Sequence, residues 1–130
     1  MASVSSRAKG ATVTYIPVTP PGLRVDTREF TSRLGLVRSG AHHLLAYPAQ
    51  SNFSGVQHPL EWIAEAQSQG WDVLLDAASF APSNRLDLGQ WRADFVSLRG
   101  YLVSMRKQGV ALLAALHSIF TGQPLYPALG

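Results

Sequence analysis

The chain has 130 residues, 46% hydrophobic and 15% charged, which fits a folded domain with a core and excludes an intrinsically disordered chain. Its net charge of +3 comes from scattered arginines with no basic block interleaved with aromatics, so nucleic acid is not an expected partner. The absence of cysteine excludes disulfides, thiolate metal sites and a cysteine nucleophile within these residues.

Met1 to Gly10 has no apolar core segment and does not read as a signal peptide. Ala11 to Ile16 is β-branched and aromatic and reads as a strand stopped by Pro17, followed by a turn over Thr19 to Gly22. Asp26 or Thr27 then caps a short helix through Leu34, with Phe30 and Leu34 on one face and Gly35 at its end. Leu44 to Tyr47 is a continuous apolar run ended by Pro48, the pattern of a parallel strand buried on both faces.

Pro59 suits the first turn of the next helix, with Glu61 and Glu65 near its positive end. Leu60, Ile63, Ala64 and Gln67 form the expected stripe, and Gly70 is a ready C-terminal cap. Val73 to Leu75 and Phe95 to Leu98 are further strands, and Pro82 to Arg85 is a loop. Strand–helix–strand units with short links imply right-handed parallel crossovers and an α/β fold. Beyond Val103, Leu112, Leu113, Leu116, Ile119 and Phe120 fit a helical stripe, although Gly109 and Val110 leave a strand open; Thr121 to Gly130 reads as irregular. The most apolar run, Val110 to Phe120, is interrupted by His117 and too short to span a bilayer, so no membrane association and a cytoplasmic location are expected.

Asn52 and Asp76 follow neighbouring apolar strands, which places both at the sheet edge where open α/β folds bind ligands. Asp76, a buried-looking carboxylate before small Ala77 and Ala78, either pairs with a ring nitrogen or caps a loop by accepting backbone N–H groups. Asn52 either donates to a ligand oxygen or holds a turn, and Gly55 supplies a conformation only glycine tolerates. His42, His43, His58 and His117 form no metal-ligand pattern, and adjacent His42 and His43 read as a solvated loop pair. Trp62, Trp71 and Trp91 read as packing residues.

Several segments together resemble the large domain of class V aminotransferase-fold, pyridoxal-phosphate-dependent enzymes, most closely the cysteine-desulfurase-like domain of molybdenum cofactor sulfurases. They are Y-P-A-Q-S-N-F-S-G at Tyr47 to Gly55, P-L-E-W-I-A-E-A-Q at Pro59 to Gln67, and G-W-D-V-L-L-D-A-A at Gly70 to Ala78. L-D-L-G-Q-W at Leu86 to Trp91 and D-F-V-S-L at Asp94 to Leu98 complete the set, with weaker similarity at Gly10 to Val18. The resemblance implies a three-layer α/β/α piece of the fold-type I large domain over residues 1–98, with a mainly parallel sheet, then a divergent segment over 99–130. It implies pyridoxal 5′-phosphate as the family cofactor, Asp76 as the partner of its pyridine nitrogen, Asn52 beside its phenolic oxygen, and Ser79 near that oxygen with a shorter side chain than in relatives.

The departures from the family pattern bear on activity. Counted without gaps along the resemblance, Leu102 is expected at the position of the lysine that bonds covalently to the cofactor, and Arg99 at that of a phosphate-holding serine. The only lysines are Lys9, ahead of the first strand, and Lys107, five residues past Leu102. By the same resemblance, the phosphate-cradling loop, the stacking aromatic and the small domain of relatives are expected to lie outside these residues. The expectation is therefore a fragment, a degenerate paralogue, or a gene whose true product continues with the lysine. No catalytic residue is expected, the ancestral activity is sulfur transfer from cysteine, and the alternative is a non-catalytic domain forming a homo- or hetero-oligomer with a full-length homologue.

Overall fold

A computed structural model describes residues 10–98 together with 109, 111, 114 and 117. The expected helix and tail over Val103 to Gly130, and the positions Lys9, Arg99, Leu102 and Lys107, lie outside the described residues apart from those four.

The first paired segment is a short antiparallel hairpin of β1 (Val18–Thr19) and β2 (Arg24–Val25). The strand expected over Ala11 to Ile16 does not form: these residues have no sheet pairing, and Thr12, Thr14 and Tyr15 are exposed. β-branched composition favours extended backbone, but a strand also needs a neighbour for its N–H and C=O groups, and none of the described residues supplies one.

Helix α1 spans Thr27–Leu34. The Asp26 carboxylate starts it by accepting the N–H groups of Arg28 at 2.8 Å and Glu29 at 3.3 Å, two of the donors that a helix start leaves unpaired. Phe30 and Leu34, one turn apart, are the residues it buries.

A second sheet holds β3 (Leu44–Pro48), β4 (Asp72–Asp76) and β5 (Phe95–Ser97) in the order β3-β4-β5, parallel throughout. Helix α2 (Trp62–Ser68) is the crossover between β3 and β4. Tyr47, Leu75 and Val96 stand side by side on the covered face, next to the pair Leu45 and Val73. Val73 and Leu75 are fully buried there, packed with Phe30, Leu34, Trp62, Ile63 and Ala66 of the helices. The rings of Phe30 and Trp62 stack with centroids 4.0 Å apart, joining the two helices. A hydrogen bond from Thr31 Oγ1 to Glu65 Oε1 (3.1 Å) and another from Trp71 Nε1 to the Leu34 carbonyl (2.9 Å) complete that joint.

Two expectations need correction. The apolar face of α2 is Trp62, Ile63 and Ala66, whereas Ala64 and Gln67 of the expected stripe are exposed. Trp62 against Phe30 fixes the helix rotation, and Gln67 turns outward to bond the Arg92 carbonyl and Asp94. Nor is β3 buried on both faces: Leu44 keeps 52% of its surface, and Ala46 and Pro48 are exposed beside it. On that open face Ala46, Leu74 and Phe95 form a row across the strands, with Phe95 56% exposed. Among the described residues both helices lie on the opposite face.

Candidate functional site

The parallel ladders run past their strand ends. The Ala49 N–H donates to the Asp76 carbonyl at 2.9 Å, and the Ala77 N–H to the Ser97 carbonyl at 3.0 Å. Beyond these bonds the chain leaves β3 and β4 at the same edge, and the two exits line a cleft of about 510 Å³. Its walls are Gln50, Ser51, Asn52 and Gly55 after β3, and Asp76, Ala78, Ser79 and Pro82 at and after β4. The volume lies within the roughly 300–1,000 Å³ range of small-molecule sites, at the edge where α/β sheets place them.

The wall after β3 is a closed loop. Gln50 and Gln57 form an antiparallel bridge, the Ser51 N–H donates to the Val56 carbonyl at 2.8 Å, and the Gly55 N–H donates to the Ser51 carbonyl at 2.9 Å. Gly55 has a φ of +71°, the left-handed turn that its lack of a side chain allows. His58 returns the loop to β3: its N–H reaches the Ala49 carbonyl and its Nδ1 donates to the Pro48 carbonyl, both at 2.9 Å. Its buried Nε2 has no partner among the described residues.

The wall after β4 is a turn on a buried floor. Ala77 and Ala81 are fully buried, and the Phe80 and Ala81 N–H groups both donate to the Ala77 carbonyl. Asn84 links the walls, donating from Nδ2 to Gln50 Oε1 at 3.1 Å and accepting at Oδ1 from Gln57 Nε2 at 2.8 Å. This amide cluster was not anticipated, because Asn84 sits in a segment whose composition marks only a loop, 34 residues from Gln50.

Asp76 and Asn52 thus share one cleft. Asp76 is exposed rather than buried, because it is the last residue of its strand and lies on the uncovered side of the sheet. Its Oδ1 accepts the Ala78 N–H at 3.1 Å, the loop-capping bond, and Oδ2 has no further hydrogen bond among the described residues. The capping and ligand-pairing readings of this carboxylate are therefore compatible, one oxygen serving each. Asn52 Oδ1 accepts the Ser79 hydroxyl at 3.3 Å, and its Nδ2 is without a partner among the described residues. All three expected site residues meet here. The cleft can offer a carboxylate oxygen to a cationic N–H donor and an amide N–H to an acceptor oxygen, the donor set that a polar aromatic ring requires.

Trp62 is buried in the core, and Trp71 and Trp91 pack against it. His42 is exposed, but His43 is more than a solvated loop residue: its Nε2 accepts the Arg38 N–H at 3.1 Å, and its ring meets Trp71 at 5.0 Å. Among the described residues there is no group of three metal-ligating side chains, and no helix is long and apolar enough to cross a membrane.

The class V aminotransferase family model matches residues 2–110, and the chain belongs to that family. The chain is similar to molybdenum cofactor sulfurases. It is 40% identical to the Bos taurus protein over 100 residues, which are 70% of this chain and 11% of the relative. It is 49% identical to the Homo sapiens protein over 70 residues, 47% of this chain and 8% of the relative. With the Danio rerio protein it shares 39% over 107 residues, 72% of this chain and 13% of the relative. The chain thus spans about a tenth of the length of these relatives. No solved structure matches.

Proposed function

We propose that the cleft is a pyridoxal 5′-phosphate ring site of the molybdenum-cofactor-sulfurase type, held by a chain that does not complete sulfur transfer. The supporting observation is that Asp76 and Asn52 line the same cleft, each with one polar group tied to the protein and one left for a ligand. When bound, the cofactor supplies an electron-accepting ring, and a carboxylate at the ring nitrogen favours its protonated form. Asp76 Oδ2 serves that nitrogen, and Asn52 Nδ2 donates to the phenolic oxygen. Leu102 has no amine for the covalent bond to the cofactor, so the ring is held by non-covalent contacts alone and catalysis is lost. A cytoplasmic location goes with this reading.

Equilibrium binding of pyridoxal 5′-phosphate to the whole chain, followed by absorbance, tests it. Wild-type protein is expected to bind reversibly, and Asp76→Ala to bind about tenfold more weakly, the loss of roughly one charge-assisted hydrogen bond. Binding unaffected by Asp76→Ala overturns the cofactor assignment. A stoichiometric borohydride-reducible adduct at Lys107 overturns the assignment of inactivity.

A second reading is favoured by the open sheet face. Leu44 and Phe95 are 52% and 56% exposed on one side of a sheet whose β3 edge pairs with no other described strand. Apolar sheet faces and free edges favour association, and the proposed partner is a full-length homologue. Co-elution with such a homologue on size exclusion supports this reading, and an unchanged monomer peak in the mixture removes it.

A further inference from the structure

Among the described residues the helices cover one face of the parallel sheet, and the other presents the row Ala46, Leu74 and Phe95. Phe95 and the adjoining Leu44 keep 56% and 52% of their surface, and Leu74 is half-buried. Parallel sheets normally carry apolar cover on both faces. The rows on either side of this one hold Asp72, paired with Leu44, and Asp76, paired with Pro48 and Ser97. Both of these residues are exposed, so the open face is apolar along its middle and acidic at its two ends.

The sequence after Leu98 has the complementary composition. Every acidic residue lies at or before Asp94, so the chain up to Leu98 balances and Arg99, Arg106 and Lys107 account for the net charge of +3. After them, Leu112, Leu113, Leu116, Ile119 and Phe120 recur at helical spacing. Ala111, Ala114 and His117 are exposed, and the last two are helical. At about 100° per residue the five apolar residues fill an arc of about 120°, on the side opposite those three. From Leu112 to Phe120 a helix rises about 12 Å, against about 10 Å across the three strands. The connection over 99–110 reaches about 40 Å when extended, well beyond the roughly 17 Å length of β4.

We propose that residues 112–120 of this same chain dock as an amphipathic helix on the open sheet face, with the apolar stripe laid on the Ala46–Leu74–Phe95 row. Arg106 and Lys107, just ahead of the helix, meet an acidic end of that face. A tethered segment has an effective concentration in the mM range, about a thousandfold above a separate partner at μM. It therefore outcompetes a free protein of similar apolar surface. The proposal is independent of the cofactor reading, and a homologue reaches this face only by displacing the segment.

Nuclear Overhauser contacts in the full chain test this. Phe95 ring protons are expected to contact methyl groups of Leu112, Leu113, Leu116 or Ile119 within one molecule, at a strength independent of protein concentration. Leu116→Asp is expected to abolish these contacts and to raise the fluorescence of the apolar dye ANS severalfold. The indole N–H signal of Trp71, held by the Leu34 carbonyl, reports that the core stays intact in that variant. Ala114→Asp, on the exposed side, is expected to leave contacts and dye binding at the wild-type level. Absence of the contacts in wild type overturns the proposal. So do contacts seen only between differently labelled copies, protection of Phe95 only on adding a full-length homologue, or equal dye binding by the two variants. Should Leu116→Asp lose the Trp71 signal, the wild-type contacts alone decide.

Discussion

The Asp94 carboxylate accepts the backbone N–H of Val73 at 2.7 Å and so continues the β4–β5 ladder with a side chain in place of a strand carbonyl. Gln67 Nε2 donates to the same oxygen at 3.2 Å, tying α2 to the start of β5. The Val73 N–H, and then the Gln67 amide, hold the Asp94 carboxyl below the usual carboxylate range. A depressed native pKa adds stability that is complete above the unfolded value of about 3.9 and is lost as pH falls through the native one. Acid unfolding followed by circular dichroism should therefore show Asp94→Asn less stable than wild type near neutrality, with the gap closing below about pH 4.

Tyr47 gives the opposite sign at the other end of the scale. Its ring is 8% exposed, and its hydroxyl donates to the Pro59 carbonyl at 3.0 Å. Burial, and then the nearby Glu61 charge, raise its pKa above the ordinary phenol value. The protonated form is favoured by folding, so this contribution is present below about pH 10 and is lost as pH rises toward the native value. Tyr47→Phe should cost about 1 kcal/mol at neutral pH and remove part of the alkaline destabilisation, as read by urea titrations at pH 7 and above pH 10.

Phe30 carries the joint between the helices, 1% exposed and stacked on Trp62. Phe30→Ala should cost about 3–5 kcal/mol, a large part of the stability of a small domain. The midpoint of denaturant unfolding measures it, and a shift worth less than about 1 kcal/mol would show that the stack carries little of the core.

Gly55 separates backbone strain from crowding. A Cβ added there meets nothing within 4 Å, yet the φ of +71° remains unfavourable for an L residue. Gly55→Ala should cost about 1–2 kcal/mol through the backbone alone, and Gly55→Asn less, because asparagine tolerates this region. Equal losses for the two variants, measured by thermal unfolding, would count against that account.

Features set by near neighbours in the chain are readable from residue types. Asp26 and Gly35 bracket α1 by local bonds, Pro48 ends β3, and the apolar Val73 to Leu75 run inside β4 is buried on one face at least. What depends on distant partners is not readable in this way. Ala11 to Ile16 has the composition of a strand without a neighbour to pair with, and the rotation of α2 is decided by Phe30, 32 residues before Trp62. The site divides along the same line. Asn52 and Asp76 are visible as polar groups at strand ends, and the family resemblance adds Ser79. The Asn84 amide cluster and the Asp94 bond to Val73 join segments far apart in sequence and leave no local signature.

The bridge between the cleft walls is made of carboxamides, Gln50, Gln57 and Asn84, which carry no formal charge at any pH a protein survives. Acid and added salt therefore leave these three cross-links between the walls intact.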